Sequence, residues 1–82
     1  MTTFTIMVKA DRHIALNFSN PQVSSIKAVL FDVSGRVLKT WSGIHLSGAS
    51  ADLHLPPNAK GCLILRVFAG KEVMQKKFTI AQ

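Results

Sequence analysis

Residues 26–41 read IKAVLFDVSGRVLKTW, in which two apolar runs flank the tetrapeptide Asp-Val-Ser-Gly. Asp32 favours the first position of a type I turn, because its carboxylate can accept a hydrogen bond from the backbone two residues on. Gly35 supplies the positive φ that a type I turn followed by a bulge requires before the second run resumes. The stretch therefore predicts a β-hairpin with arms at 26–31 and 36–41.

The rest of the chain repeats this pattern of short apolar runs separated by Gly, Pro, Asn and Ser. The runs predict strands at 3–8, 13–18, 51–55, 62–68 and 72–80, and a short separate segment at 44–46. Loops are expected at Ser42-Gly43, which ends the second arm of the hairpin, and from Pro56 to Gly61.

The last predicted strand changes phase along its length. Met74, Phe78 and Ile80 share one parity, and Val73 has the other. We therefore expect either a bulge near Gln75 or a strand that is covered on both faces at its start.

About seven short strands with a turn every 8 to 12 residues indicate an all-β domain. No segment holds apolar residues at helical spacing over three turns, so almost no helix is expected. An immunoglobulin-like antiparallel β-sandwich over residues 1–82 is the prediction, and a closed barrel is the alternative. The sequence contains no run of about 18 apolar residues, which is the length needed to span a bilayer.

The composition narrows the possible partners. The formal charge of +6 favours acidic partners, but no block of basic residues is longer than two, which is typical of a solvated surface. The aromatic residues argue against nucleic acid as a partner, because five of the six are Phe and most fall at predicted core positions. Trp41, beside the predicted Ser42-Gly43 loop, is either a core residue or a carbohydrate contact.

Residues for catalysis or metal binding are not arranged in any recognisable motif. His13, His45 and His54 lack ligand spacing, and Cys62 has no second cysteine with which to share a metal. Cys62 is expected to pack as a small apolar residue. Nothing resembles a nucleophile elbow, and a domain this small has little room for a lined pocket. The sequence thus predicts a protein that is not an enzyme and holds no metal or cofactor.

Two segments together, FDVSGRVLKTW and LHLPPNAKGCLILRVFAGKEVMQKKFTI, carry a family resemblance. The chain resembles the C-terminal sorting domain of the type IX secretion system, and through it the basic C-terminal modules on some secreted plant-cell-wall-degrading enzymes. It departs from the family at Leu63, where an aromatic residue is usual. The matching residues are Asp32, Ser34, Gly35, Arg36, Val37, Leu55, Pro56, Gly61, Leu65, Arg66, Val67, Gly70, Lys71, Lys76, Lys77 and Phe78.

This resemblance implies the C-terminal module of a larger secreted protein, which passes through the periplasm and ends outside the cell or on its surface. It further implies that an outer-membrane secretion protein engages the final hairpin. The expected recognition residues are Gly61, Arg66, Gly70, Lys71, Lys76 and Lys77, and the expected turn motif is Asp32, Ser34, Gly35 and Arg36. Two other interpretations remain open. One is an accessory module that uses Trp41 and a basic face to hold a glycoside hydrolase or esterase on acidic polysaccharide or the cell surface, and the other is a structural spacer.

Overall fold

The computed structural model describes residues 1–81, which form seven strands and no helix. Gln82, the last residue of the predicted domain, lies outside the described residues. No helix that could cross a membrane occurs in this part of the chain. The strands are β1 (Thr3–Lys9), β2 (His13–Ser19), β3 (Ser25–Asp32), β4 (Val37–His45), β5 (Ser50–His54), β6 (Gly61–Ala69) and β7 (Glu72–Ile80).

The strands form two antiparallel sheets that pack face to face. The smaller sheet has the order β1-β2-β5, and the larger sheet has the order β4-β3-β6-β7. The predicted all-β, immunoglobulin-like antiparallel sandwich of seven short strands is confirmed. Relative to the constant-type immunoglobulin arrangement, the fourth strand pairs with the third instead of joining the smaller sheet.

The core lies between the two sheets and is built by the alternation of the strands. Every second residue of β2, β3 and β6 faces inward, and burying each large aliphatic side chain contributes roughly 1.5–3 kcal/mol. The loop after β5 also contributes to the core, since Ala59 is fully buried. The largest fully buried side chains are Ile14, Leu16, Leu30, Leu53, Leu63, Leu65 and Val67.

The β3–β4 hairpin forms as the sequence predicts. The Gly35 N–H donates to the Asp32 carbonyl at 3.0 Å, and the Asp32 N–H donates to the Arg36 carbonyl at 3.0 Å. Gly35 has a φ of +93°, the left-handed region that a residue with a Cβ rarely adopts.

The predicted loop at Ser42-Gly43 is wrong, because β4 continues through these residues to His45. The separate segment at 44–46 is therefore wrong too. The pairing of β3 with β4 shifts register twice, once in the stretch of β4 opposite Lys27 and once near Leu38. Each shift inserts an extra residue into β4, which bends this edge strand and returns its apolar side chains to the core. Glycine is common to bulges and loops, so the sequence pattern does not distinguish them here.

The two expectations for β7 are also wrong. The pairing of β6 with β7 runs from Gly61↔Ile80 to Ala69↔Glu72 without a shift, so β7 has no bulge. The strand is not covered on both faces at its start either, because Val73 is 59% exposed. Val73 is simply an apolar residue on the outward face of the sheet.

Candidate functional site

The β6–β7 hairpin carries all six residues that the family resemblance singles out for recognition. Gly61 begins β6, Arg66 lies in its middle, and Gly70 and Lys71 form the turn. Lys76 and Lys77 lie in the middle of β7. Because β7 is the last strand of the larger sheet, one side of its backbone has no strand partner among the described residues.

The turn of this hairpin contains only Gly70 and Lys71, between the paired residues Ala69 and Glu72. Gly70 has a φ of +64°, which suits the first central position of a type II′ turn. A methyl group at Gly70 would lie 3.1 Å from Val23 Cγ1, so the turn also packs closely against the segment before β3.

The start of β7 is fixed to the segment before β1. The Thr2 N–H donates to Glu72 Oε2 at 3.1 Å, and Thr2 is itself buried. This backbone hydrogen bond stabilises the ionised carboxylate and lowers the pKa of Glu72 below its ordinary value. The bond links the two sheets on the side where the edges of β1 and β7 approach each other.

Lys76 and Lys77 lie on opposite faces of the sheet, because successive side chains of a strand alternate. Lys76 pairs with Leu65, which is fully buried, so Lys76 points toward the space between the sheets. Its Nζ lies 5.9 Å from the centroid of the Phe4 ring. A groove of about 260 Å³ opens here between the two edges, lined by residues 1–4 and 74–76.

Lys77 lies on the outward face of the larger sheet, opposite Ile64. Arg66 lies on the same face, where its guanidinium donates to Gln75 Oε1 at 2.9 and 3.0 Å. The Arg66 guanidinium carbon also lies 5.1 Å from the centroid of the Phe31 ring. These two contacts hold the guanidinium flat against the sheet.

A second cation lies over a second ring on this outward face, where Lys27 Nζ is 5.5 Å from the centroid of the Phe68 ring. Phe31 and Phe68 are half-buried and belong to the outward face, so the expectation that most aromatic residues lie in the core does not apply to these two. We call Lys27, Phe31, Arg66, Phe68 and Lys77 the basic-aromatic face.

The basic-aromatic face carries positive charge that no Asp or Glu side chain of the described residues offsets. The chain has four acidic residues. Asp32 pairs with Leu63 and Glu72 pairs with Ala69, and both partners are buried and face inward, so these two carboxylates are not on the outward face. Asp52 belongs to the smaller sheet, and Asp11 lies in the turn between β1 and β2. An anionic partner would therefore meet no Asp or Glu carboxylate of residues 1–81 on this face.

The Asp32 carboxylate is the centre of the β3–β4 turn. Its Oδ1 accepts hydrogen bonds from the Ser34 hydroxyl at 2.6 Å and from the Ser34 and Arg36 N–H groups at 3.0 Å each. Its Oδ2 accepts one from Arg36 Nε at 3.2 Å. The bond from the Ser34 hydroxyl is the main reason that the pKa of Asp32 lies below its ordinary value. This motif of Asp32, Ser34, Gly35 and Arg36 builds the turn at the other end of the larger sheet from Gly70.

Trp41 packs partly against the core, and Lys39 Nζ lies 5.6 Å from the centroid of its ring. The ring is thus half-buried in β4 and does not present a bare flat surface. Cys62 is exposed on the outward face, so the expectation that it packs as a small apolar residue is wrong. Within residues 1–81 no three His, Cys, Asp or Glu side chains form a cluster that could hold a metal ion.

Comparison with known proteins does not assign the chain to a family. No protein-family model matches it, and no curated protein is similar to it in sequence.

Proposed function

We propose that this chain is a non-catalytic sorting domain of the type IX secretion system, whose β6–β7 hairpin is recognised and bound by a protein of the outer-membrane export machinery. The observation that carries the proposal is the position of β7 at the edge of the larger sheet, with the six residues of the resemblance on its hairpin. An edge strand offers unpaired N–H and C=O groups, and a partner strand can add to them.

Lys76 gives such a docking event its selectivity. A charge that points inward from an edge strand discourages pairing with an arbitrary strand, because the pairing would surround the ammonium with apolar side chains. A partner strand with a carboxylate near Lys76 would meet no such penalty and would gain an ion pair. The groove beside Phe4 leaves room for the acidic side chain of the partner strand.

The export of a reporter fused to residues 1–82 tests the proposal in a host that has the type IX machinery. The wild-type fusion should leave the cell, and Lys76→Glu and Lys77→Glu should each reduce export. Lys60→Glu, an exposed charge reversal in the loop before β6, is the matched control and should be exported normally.

Melting curves of the isolated variants separate recognition from folding, because exposed charge reversals usually change stability by no more than about 0.5 kcal/mol. A folded wild-type fusion that stays inside the cell would reject the sorting function. Full export of both the Lys76→Glu and the Lys77→Glu fusions would show that the export machinery does not recognise these lysines.

The basic-aromatic face favours a second candidate function, an accessory module that holds a secreted hydrolase or esterase on acidic polysaccharide. Electrophoresis in a gel that contains polygalacturonate should retard the wild type, and Lys27→Glu should abolish the retardation. Lys27 belongs to β3 and not to the β6–β7 hairpin, so this variant should still be exported if the chain is only a sorting module. A chain that is neither exported nor retarded would fit the structural spacer.

A further inference from the structure

Two histidines that are distant in sequence meet on the outward face of the smaller sheet. His13 on β2 lies directly opposite His54 on β5, and their ring centroids are 4.4 Å apart with 27° between the ring planes. The neighbouring pair, Ile14 and Leu53, is buried in the core, so the two imidazoles point away from it. Their approach is set by strand register and does not depend on a loop.

Lys9 and Asp52 are the charged residues at neighbouring positions on this face, while the Arg12 guanidinium, next to His13 in sequence, donates to the Pro56 and Ala59 carbonyls. Lys9 on β1 is paired with His13, and Asp52 lies two residues before His54 on the same face of β5. The Lys9 ammonium lies 3.7 Å from Asp52 Oδ1, so the carboxylate offsets the nearest positive charge. A cation that approaches the two rings therefore meets less repulsion than the net charge of +6 implies.

We propose that His13 and His54 form a two-imidazole site for a divalent transition-metal ion, with Cu²⁺ bound most tightly. Two nitrogens that lie about 2.0 Å from one ion at an angle of roughly 90–110° are about 3 Å apart. An imidazole lone pair lies in the ring plane, and the two planes differ by only 27°, so the stacked rings must turn about χ2 before their nitrogens point at one ion. The χ2 torsion of histidine is broad and allows this turn. Imidazole suits Cu²⁺, Ni²⁺ and Zn²⁺, and the usual affinity order places Cu²⁺ first.

With two protein ligands, the ion keeps water in its other positions. Because a backbone register already holds the two rings together, the second imidazole binds as an intramolecular ligand and adds to the affinity of the first. A plain cross-strand stack that only adds to the stability of the sheet is the competing explanation. This inference does not rest on the sorting function, since β2 and β5 belong to the other sheet.

Isothermal titration calorimetry of the full chain with Cu²⁺ near neutral pH tests the site. All proteins should carry Cys62→Ser, because the exposed thiol would itself react with copper. His13→Asn and His54→Asn should each weaken binding by roughly 10- to 100-fold. His45→Asn, on the exposed edge strand β4, is the matched control and should bind as the parent does.

Electron paramagnetic resonance of the loaded protein supplies a second measurement. The nitrogen couplings should report two imidazoles in the parent and one in each of the His13 and His54 variants, while circular dichroism verifies that all remain folded. A parent protein that shows a single imidazole, or a His54→Asn variant that binds as tightly as the parent, would overturn the site and leave the stack as a structural contact.

Discussion

Replacing Gly70 by alanine tests the geometry of the β6–β7 turn, on which the candidate site depends. Gly70 has a φ of +64°, and a side chain at such an angle costs about 1–2 kcal/mol. The added methyl group would also lie 3.1 Å from Val23 Cγ1. Forcing a methyl into a packed contact costs about 1–3 kcal/mol, and the half-buried Val23 can yield, so we expect about 1 kcal/mol from this contact.

Gly48→Ala is the matched control for the backbone cost. Gly48 has a φ of +66°, but a methyl group there would meet nothing within 4 Å. Both substitutions remove the same glycine freedom from the unfolded chain, so this effect cancels in the comparison. The difference between the two free energies of unfolding therefore isolates the contact with Val23.

Thermal and urea unfolding of both variants measures this difference. A domain of this size loses roughly 4–8 °C of Tm per kcal/mol, so Gly70→Ala should melt about that much below Gly48→Ala. In a Val23→Ala background the difference should disappear, because the valine methyl groups that the new side chain would meet are gone. Equal melting of the two single variants, or a difference that persists without the Val23 methyl groups, would refute the reasoning.

Two further predictions concern single charged residues. The folded-state pKa of Asp32 lies below its ordinary value of 3.8, so its stabilising effect is present above that pH and is lost as the pH falls through the folded pKa. Asp32→Asn should therefore lower the Tm above about pH 4 and lose this deficit in stronger acid; a deficit independent of pH would contradict the role of the charge. Lys76→Met removes the inward-pointing charge from the edge of the sheet and should promote dimerisation in sedimentation velocity, whereas Lys77→Met, on the outward face, should do so less. Equal monomer fractions for the two variants would argue against the protective role of Lys76.

Part of the candidate site was accessible from the sequence, and part was missed for an identifiable reason. The Gly70-Lys71 turn and the strands on either side follow from local turn chemistry and apolar runs. The opposite orientations of Lys76 and Lys77 follow from strand alternation alone. The sequence analysis did not predict these orientations, because the apolar residue Val73 is exposed and its position made a regular strand look as if it changed phase. The basic-aromatic face was not predicted, because phenylalanine is usually a core residue, whereas Phe31 and Phe68 lie half-buried on the outward face of the sheet.

The sequence by itself determined the all-β class, the tight turns and the strands other than the second half of β4, because each depends on interactions within a few residues or on a period of two. Asp32 and Gly35 build their turn with hydrogen bonds that span at most four positions. Only the tertiary structure decided which strands are neighbours, and with that the pairing of His13 with His54, the edge position of β7 and the cations that lie over Phe31 and Phe68. Strand order is fixed by the burial of both sheets against each other over the whole chain, and no local pattern encodes it.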